Sequence, residues 1–175
     1  MDISHQGHAI ALDLRIALVD PNDTTDSTCK GELLQALVLD EAKTLRMLPN
    51  DYTEAWKKLL SWKGISQAEL HRRTLIPEKT IGNIINGRNI GSIDNVVLMC
   101  LAANLPWDMS RYLIDRSGHT LLNTNDDHIW YSFALKHLYC MSLEEIRSFF
   151  MDNGIQTYNK IPEINKDTAI RFPPT

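Results

Sequence analysis

The tightest grouping of chemically useful side chains in this sequence lies between Ser66 and Arg88, and it is a grouping of hydrogen-bonding residues rather than nucleophiles. Glu78, Lys79, Thr80 and Asn83 fall within six positions. On a helix, Asn83 lies one turn beyond Lys79 on the same face. Lys79 suits the two acceptors of guanine, Asn83 the donor–acceptor pair of adenine, and Glu78 the amino group of cytosine. Arg88 follows and suits phosphate, which positions a protein on a duplex without specifying sequence.

Other chemistries find no foothold. No glycine loop has phosphate-binding spacing, and no serine or cysteine stands in a recognisable nucleophile setting. The first seven residues read as a loose end, and His5 and His8 form a weak H-x-x-H spacing there and just beyond it. His119, His128 and His137 share no metal spacing with a carboxylate or cysteine pair. The acidic pairs Asp126-Asp127 and Glu144-Glu145 sit at helix starts, where they complement the helix dipole. Cys29, Cys100 and Cys140 are odd in number and far apart, which fits thiols used as small hydrophobes in a reducing, cytoplasmic compartment. The expectation is therefore no enzyme, no metal, no cofactor and no small-molecule ligand.

The elements that must position these residues read mostly as helices. Ser66-Gln67-Ala68-Glu69 has the pattern of a capping box, with serine capping the third amide and glutamate reaching back to the serine amide. It opens a short helix that ends near Thr74. Pro77 opens a second, closed by Asn86-Gly87. Leu70, Ile76, Ile81 and Ile84 are the apolar positions that would lock the two together. Such a unit holds its second helix rigidly and exposes its first turn, which fits a DNA major groove. Thr53–Lys63 reads as a helix before them, with Trp56 as core. Ser92 to Ala103 and Pro106 to Arg116 read as helices after them, with Tyr112 as core.

At these residues the chain resembles the phage-repressor (Cro-type, Xre-type) helix-turn-helix family. The resemblance rests on Ser66-Gln67-Ala68-Glu69-Leu70, Thr80-Ile81, Asn86-Gly87-Arg88 and Ser92-Ile93-Asp94-Asn95-Val96-Val97, and it covers about 65 residues. It implies a mainly α fold: a five-helix, lambda-repressor-like domain over residues 50–118. It further implies that Gln67 bonds a phosphate, that Ser66, Asn86 and Arg88 hold the DNA backbone, and that Glu78, Lys79 and Asn83 face base edges. Thr80 would reach a phosphate or a thymine methyl. Two positions depart from the family pattern: His71 stands where a small residue is usual, and Leu75 where the turn usually has glycine. The bland alternatives are that Gln67 and Glu69 only cap a helix and that Lys79 and Arg88 are solvated surface charges.

Around this domain the sequence predicts extensions. Ile10, Leu12, Leu14, Ile16 and Leu18 alternate strictly, the period of a half-buried strand. A helix over about 28–47 completes an N-terminal extension, residues 1–49, with a role in dimerisation. Two further helices, about 126–139 and 142–153, form a C-terminal extension over residues 119–154. Residues 155–175 read as a tail. Ser142-Leu143-Glu144-Glu145 is a second capping box. The longest apolar run, Val96 to Ala103, is too short for the roughly 18 residues of a membrane span.

The net charge of −4 is unevenly spread. Residues 51–118 carry 9 basic and 7 acidic side chains, while both flanks are net acidic. That pattern fits a short docking surface on double-stranded DNA rather than non-specific coating. The reading is a homodimeric, sequence-specific transcriptional regulator. The alternative is a protein-interaction module, an adaptor or inhibitor, built on the same helical fold.

Overall fold

A computed structural model of the chain describes residues 27–163, and every regular element among them is helical. The predicted strand at Ile10–Leu18 lies outside the described residues. The chain divides into two compact units, one ending at Ile65 and the other beginning at Ser66.

The first unit holds α1 (Ser27–Arg46) and α2 (Tyr52–Lys63). Asp51 caps α2: its Oδ1 accepts the amides of Thr53 and Glu54, each at 3.0 Å. The Thr53 hydroxyl also donates to it, and these bonds hold the Asp51 carboxyl below its usual range. Gly64, with φ of 66°, ends the helix in a left-handed turn. The Trp62 indole N–H donates to Asp40 of α1 at 2.9 Å, and Lys58 Nζ donates to the Met47 carbonyl at 2.8 Å, so the two helices are tied. Trp56 is fully buried, as expected of a core residue. The apolar stripe of α1 behaves otherwise: Leu34 and Val38 are exposed, and Leu37 and Leu45 only half-buried.

The second unit is organised around α5 (Ile93–Ala102), which follows α3 (Gln67–Thr74) and α4 (Glu78–Ile85). Every side chain from Val96 to Ala103 is buried. A helix apolar on all sides needs cover on all sides. It gets cover from α3, from α6 (Trp107–Arg116), and from the C-terminal helices. These are α7 (Asp126–Phe133), which runs on into a π-helical turn over Ala134–Leu138, and α8 (Leu143–Asp152). The continuous α-helix expected over 126–139 thus changes its winding at Ala134. Among the C-terminal residues Tyr131, Ala134, Leu135, Ile146 and Phe150 are almost wholly buried. Cys100 belongs to the same core, and burial pushes its thiol up to about 12, so it stays protonated and serves as apolar filling.

The segment that reads as a tail begins as ordered structure. A 3-10 turn over Gln156–Lys160 buries Thr157, with Ile155 and Ile161 buried on either side of it. Thr157 Oγ1 donates to Asp127 at 2.9 Å, and Lys160 Nζ lies 3.9 Å from both Asp94 and Asp127. Periodicity misses this turn because it is short and its buried Thr157 is held by a partner 30 positions away.

The two predicted capping boxes form to different extents. At Ser142 the box is complete: its hydroxyl oxygen accepts the Glu145 amide, and the Glu145 carboxylate accepts the Ser142 amide at 2.7 Å. At Ser66 only half forms, the serine oxygen accepting the Glu69 amide at 3.1 Å. The Glu69 carboxylate turns away to charged donors instead, taking two bonds from Arg72 and one from Arg73. Charge-assisted bonds outcompete a neutral amide. Arg73 then continues to the Ala102 carbonyl at the end of α5 (2.7 Å) and to Asn104 Oδ1 (3.2 Å). The Asn104 amide donates to the Tyr139 carbonyl at 2.9 Å. One polar path therefore joins α3, the end of α5 and the start of the α8 connection.

Two outcomes are expected. Ile146→Ala empties a fully buried site in α8 and costs about 2–5 kcal/mol; urea unfolding monitored through α3 and α4 and through the C-terminal aromatics shifts to one common lower midpoint. The Arg72 and Arg73 guanidinium groups hold the Glu69 carboxyl down to about 2. A lowered carboxyl stabilises the fold above its ordinary value of 4.5, and that stabilisation is lost as pH falls from there towards 2. Glu69→Gln therefore destabilises at pH 7 by about 1 kcal/mol, discounted for partial exposure, and flattens the acid limb of a stability-versus-pH curve.

Candidate nucleic-acid interface

Helices α3 and α4 are joined by Leu75, Ile76 and Pro77. The four apolar residues expected to lock them are all buried: Leu70, Ile76, Ile81 and Ile84. The turn keeps a left-handed residue at the position where the resemblance expects glycine. Leu75 sits at φ 57°, ψ 7°, and its amide donates to the His71 carbonyl at 2.8 Å. A leucine there is strained by about 1–2 kcal/mol. Side chains brace the turn against that strain. Thr74 Oγ1 donates to the Leu70 carbonyl at 2.7 Å and accepts the Ile76 amide at 3.2 Å. His71 Nδ1 donates to the Ile76 carbonyl at 2.7 Å, closing the turn from outside. Both departures from the family pattern thus fall on one turn, and one of them braces the backbone that the other strains.

The candidate residues divide by exposure. Glu78 and Lys79, in the first turn of α4, and Arg88, just beyond its end, are exposed. None of these three is held in an ion pair among the described residues. Thr80 and Asn83 are half-buried on the same helix. Gln67 is half-buried at the start of α3 and lies over α4: a Cβ placed on Gly82 would stand 3.2 Å from Gln67 Oε1. A larger residue there would push the Gln67 side chain aside by a few tenths of an ångström. Ser66 is exposed, with its oxygen engaged as the cap of α3.

Asn86 and Arg88 have distinct local roles. Asn86 Nδ2 donates to the Gly82 carbonyl at 2.8 Å, so its side chain is committed to the end of α4. Arg88 is fixed through its backbone, its amide donating to the Asn83 carbonyl at 2.9 Å. Its side chain is left to solvent. The surface therefore gathers Glu78, Lys79, Asn83 and Arg88 on one helix and the loop behind it, with Ser66 and Gln67 at the head of the preceding helix.

Three residues that sequence reasoning does not single out support this surface. Arg73 ties α3 to the end of α5, as above. His119 Nε2 lies 2.9 Å from the Gly91 carbonyl. Tyr131 donates its hydroxyl to Asp94 in the first turn of α5. Burial of the Tyr131 phenol, reinforced by the Asp94 carboxylate, raises it well above the usual range, so it remains the donor. Each pairing spans 28 or more positions and leaves no periodic trace in the sequence.

Leu75→Gly removes the left-handed strain, while a glycine also loosens the unfolded chain by about 0.4–1 kcal/mol. Leu75 is 47% exposed, so the burial of about half the residue is lost as well, which limits the gain. The net expectation is a gain of up to about 1 kcal/mol, read as a higher urea midpoint with an unchanged slope; a lower midpoint would assign the leucine side chain a packing role.

Comparison with models of protein families, with curated proteins and with solved structures found no match to this chain.

Proposed function

We propose that this chain is a sequence-specific, double-stranded-DNA-binding transcriptional regulator that lays α4 in the major groove. The observation that carries the reading is the exposed first turn of α4 on a rigid support. Glu78 and Lys79 are exposed there, Ile81, Ile84 and Ile85 of the same helix are buried, and Arg88 is exposed behind it. A helix so seated offers base-reading groups from its amino end, the arrangement of helix-turn-helix proteins. Lys79 addresses guanine, Asn83 adenine and Glu78 cytosine, while Arg88, Gln67 and Ser66 meet phosphates. Pairing of two chains would place two such helices on a half-site repeat. No helix among the described residues is long and apolar enough to cross a membrane.

A second reading is favoured by one feature. Leu75 and Ile90, in the segments before and after α4, are 47% and 48% exposed. Apolar side chains flanking a recognition surface suit a protein partner better than a phosphate backbone, so α4 would then be the face of a protein-interaction module.

Two substitutions separate these readings and test the first. Asn83→Ala lowers affinity for a selected duplex by about 1–3 kcal/mol at one base pair and relaxes specificity there. Arg88→Ala weakens selected and scrambled duplexes alike and flattens the salt dependence by about one unit. Fluorescence anisotropy over a salt series, on a duplex selected from a random pool, measures both. An equal loss from Asn83→Ala on both duplexes refutes base reading by α4; no loss from either substitution hands α4 to the protein-partner reading.

A further inference from the structure

The loop that carries Arg88 is fixed to α4 at its start and to the C-terminal extension at its end. At the start, the amides of Arg88 and Asn89 both donate to the Asn83 carbonyl, at 2.9 and 3.2 Å. In the middle, Asn89 Oδ1 accepts the Gly91 amide at 3.0 Å. Gly91 has φ of 80°, and a Cβ there would stand 2.7 Å from Ile84 Cδ1, so the loop closes hard against α4. The Gly91 carbonyl then meets His119 Nε2 at 2.9 Å. A carbonyl only accepts, so Nε2 carries the proton.

His119 itself sits on a built support. It follows Gly118, which has φ of 76°. Its amide donates to the buried Ser117 hydroxyl oxygen at 3.4 Å, and that hydroxyl donates to the Ile114 carbonyl at 2.6 Å. Three residues beyond Gly91, Asp94 accepts the Tyr131 hydroxyl and faces Lys160 at 3.9 Å. The segment from Arg88 to Asp94 is thus held twice by residues after α6, once at each end of its last four residues.

We infer that His119 is a positioning residue for Arg88: with the Tyr131–Asp94 bond, it sets the loop geometry on which the phosphate contact depends, although it contacts no DNA itself. The inference rests on the DNA-binding reading above, and it gives the C-terminal extension a share in binding that its acidic charge alone would not suggest.

Two measurements test it. In the free protein, trypsin cleaves after Arg88 only when the loop opens. His119→Ala raises the rate of that cut, identified by fragment mass, roughly 2- to 10-fold, the range one ordinary hydrogen bond gives to a local opening equilibrium. His119→Gln, whose amide N–H can reach the same carbonyl, restores the slow rate. On a duplex, His119→Ala flattens the salt dependence by about one unit, as Arg88→Ala does, and adds nothing further in an Arg88→Ala background. An unchanged cut rate overturns the inference whatever DNA does. A faster cut with an unchanged salt slope overturns the positioning role while leaving DNA binding intact. A wild-type chain that binds no duplex removes the DNA reading and the phosphate contact with it, and the cut rate still decides whether His119 holds the loop. Should His119→Ala lower the thermal midpoint broadly, His119→Phe, which keeps a ring but donates no hydrogen bond, takes its place with the same faster cut expected.

Discussion

The second unit depends on one constraint: α5 is apolar on every side and must be enclosed. Val96 to Ala103 presents eight consecutive buried residues, with no polar face to turn outwards. Each large side chain removed from water contributes about 1.5–3 kcal/mol, so enclosing this helix is a main source of the unit's stability. Helices α3 and α6 cover part of it, and the π turn and α8 cover more. The C-terminal helices are therefore part of the core that seats α4, and not an appendage to it. This is also why acidic helices can sit in the same unit as the candidate surface on α4: their buried faces answer to α5, while their charges stay at exposed helix starts such as Glu144 and Glu145.

Polar groups are then arranged where the apolar packing stops. The end of α5 has carbonyls without helical partners and a negative dipole end. Arg73 meets one of these, at Ala102, while Glu69 neutralises it from behind. Asn104 takes up the left-handed turn that follows, with φ of 50°, and commits its side-chain amide to the Tyr139 carbonyl. Asparagine tolerates that conformation better than most residues because its short side chain bonds locally. At the opposite end of α5 the Tyr131–Asp94 bond and Lys160 play the corresponding part.

How much of this is readable in the sequence follows the range of the interactions. Helix starts are readable from Ser66, Ser92 and Ser142, because a cap involves residues only three apart. The four residues locking α3 to α4 are readable because a short turn leaves two apolar faces a single way to meet. The Glu69 half of a capping box is misleading: spacing alone does not register that two arginines follow within reach of the same carboxylate. The apolar stripe of α1 is readable as a helix but not as an exposed one, since periodicity marks a face without saying what covers it. The residues that brace the candidate surface, Arg73, His119 and Tyr131, are not readable at all. Their partners lie 28 to 37 positions away, and only the fold brings them together.

The π turn at Ala134–Leu138 changes what a helix face means along this stretch. In α-helical winding Ile129, Phe133 and His137 form one stripe. A π turn takes more residues to come round, so side chains beyond it are rotated relative to those before it. Ala134, Leu135 and Leu138 consequently all reach the core, and Phe133 is left half-buried at the edge, stacked on Phe149 with ring centres 5.9 Å apart. Such a turn behaves as a one-residue insertion absorbed without breaking the rod. It lets the same stretch of chain serve two neighbours in different directions, α5 through its aliphatic residues and α8 through its aromatic ones. A length change of one residue here would act at a distance, re-aiming everything from Tyr139 onward, including the carbonyl that Asn104 holds.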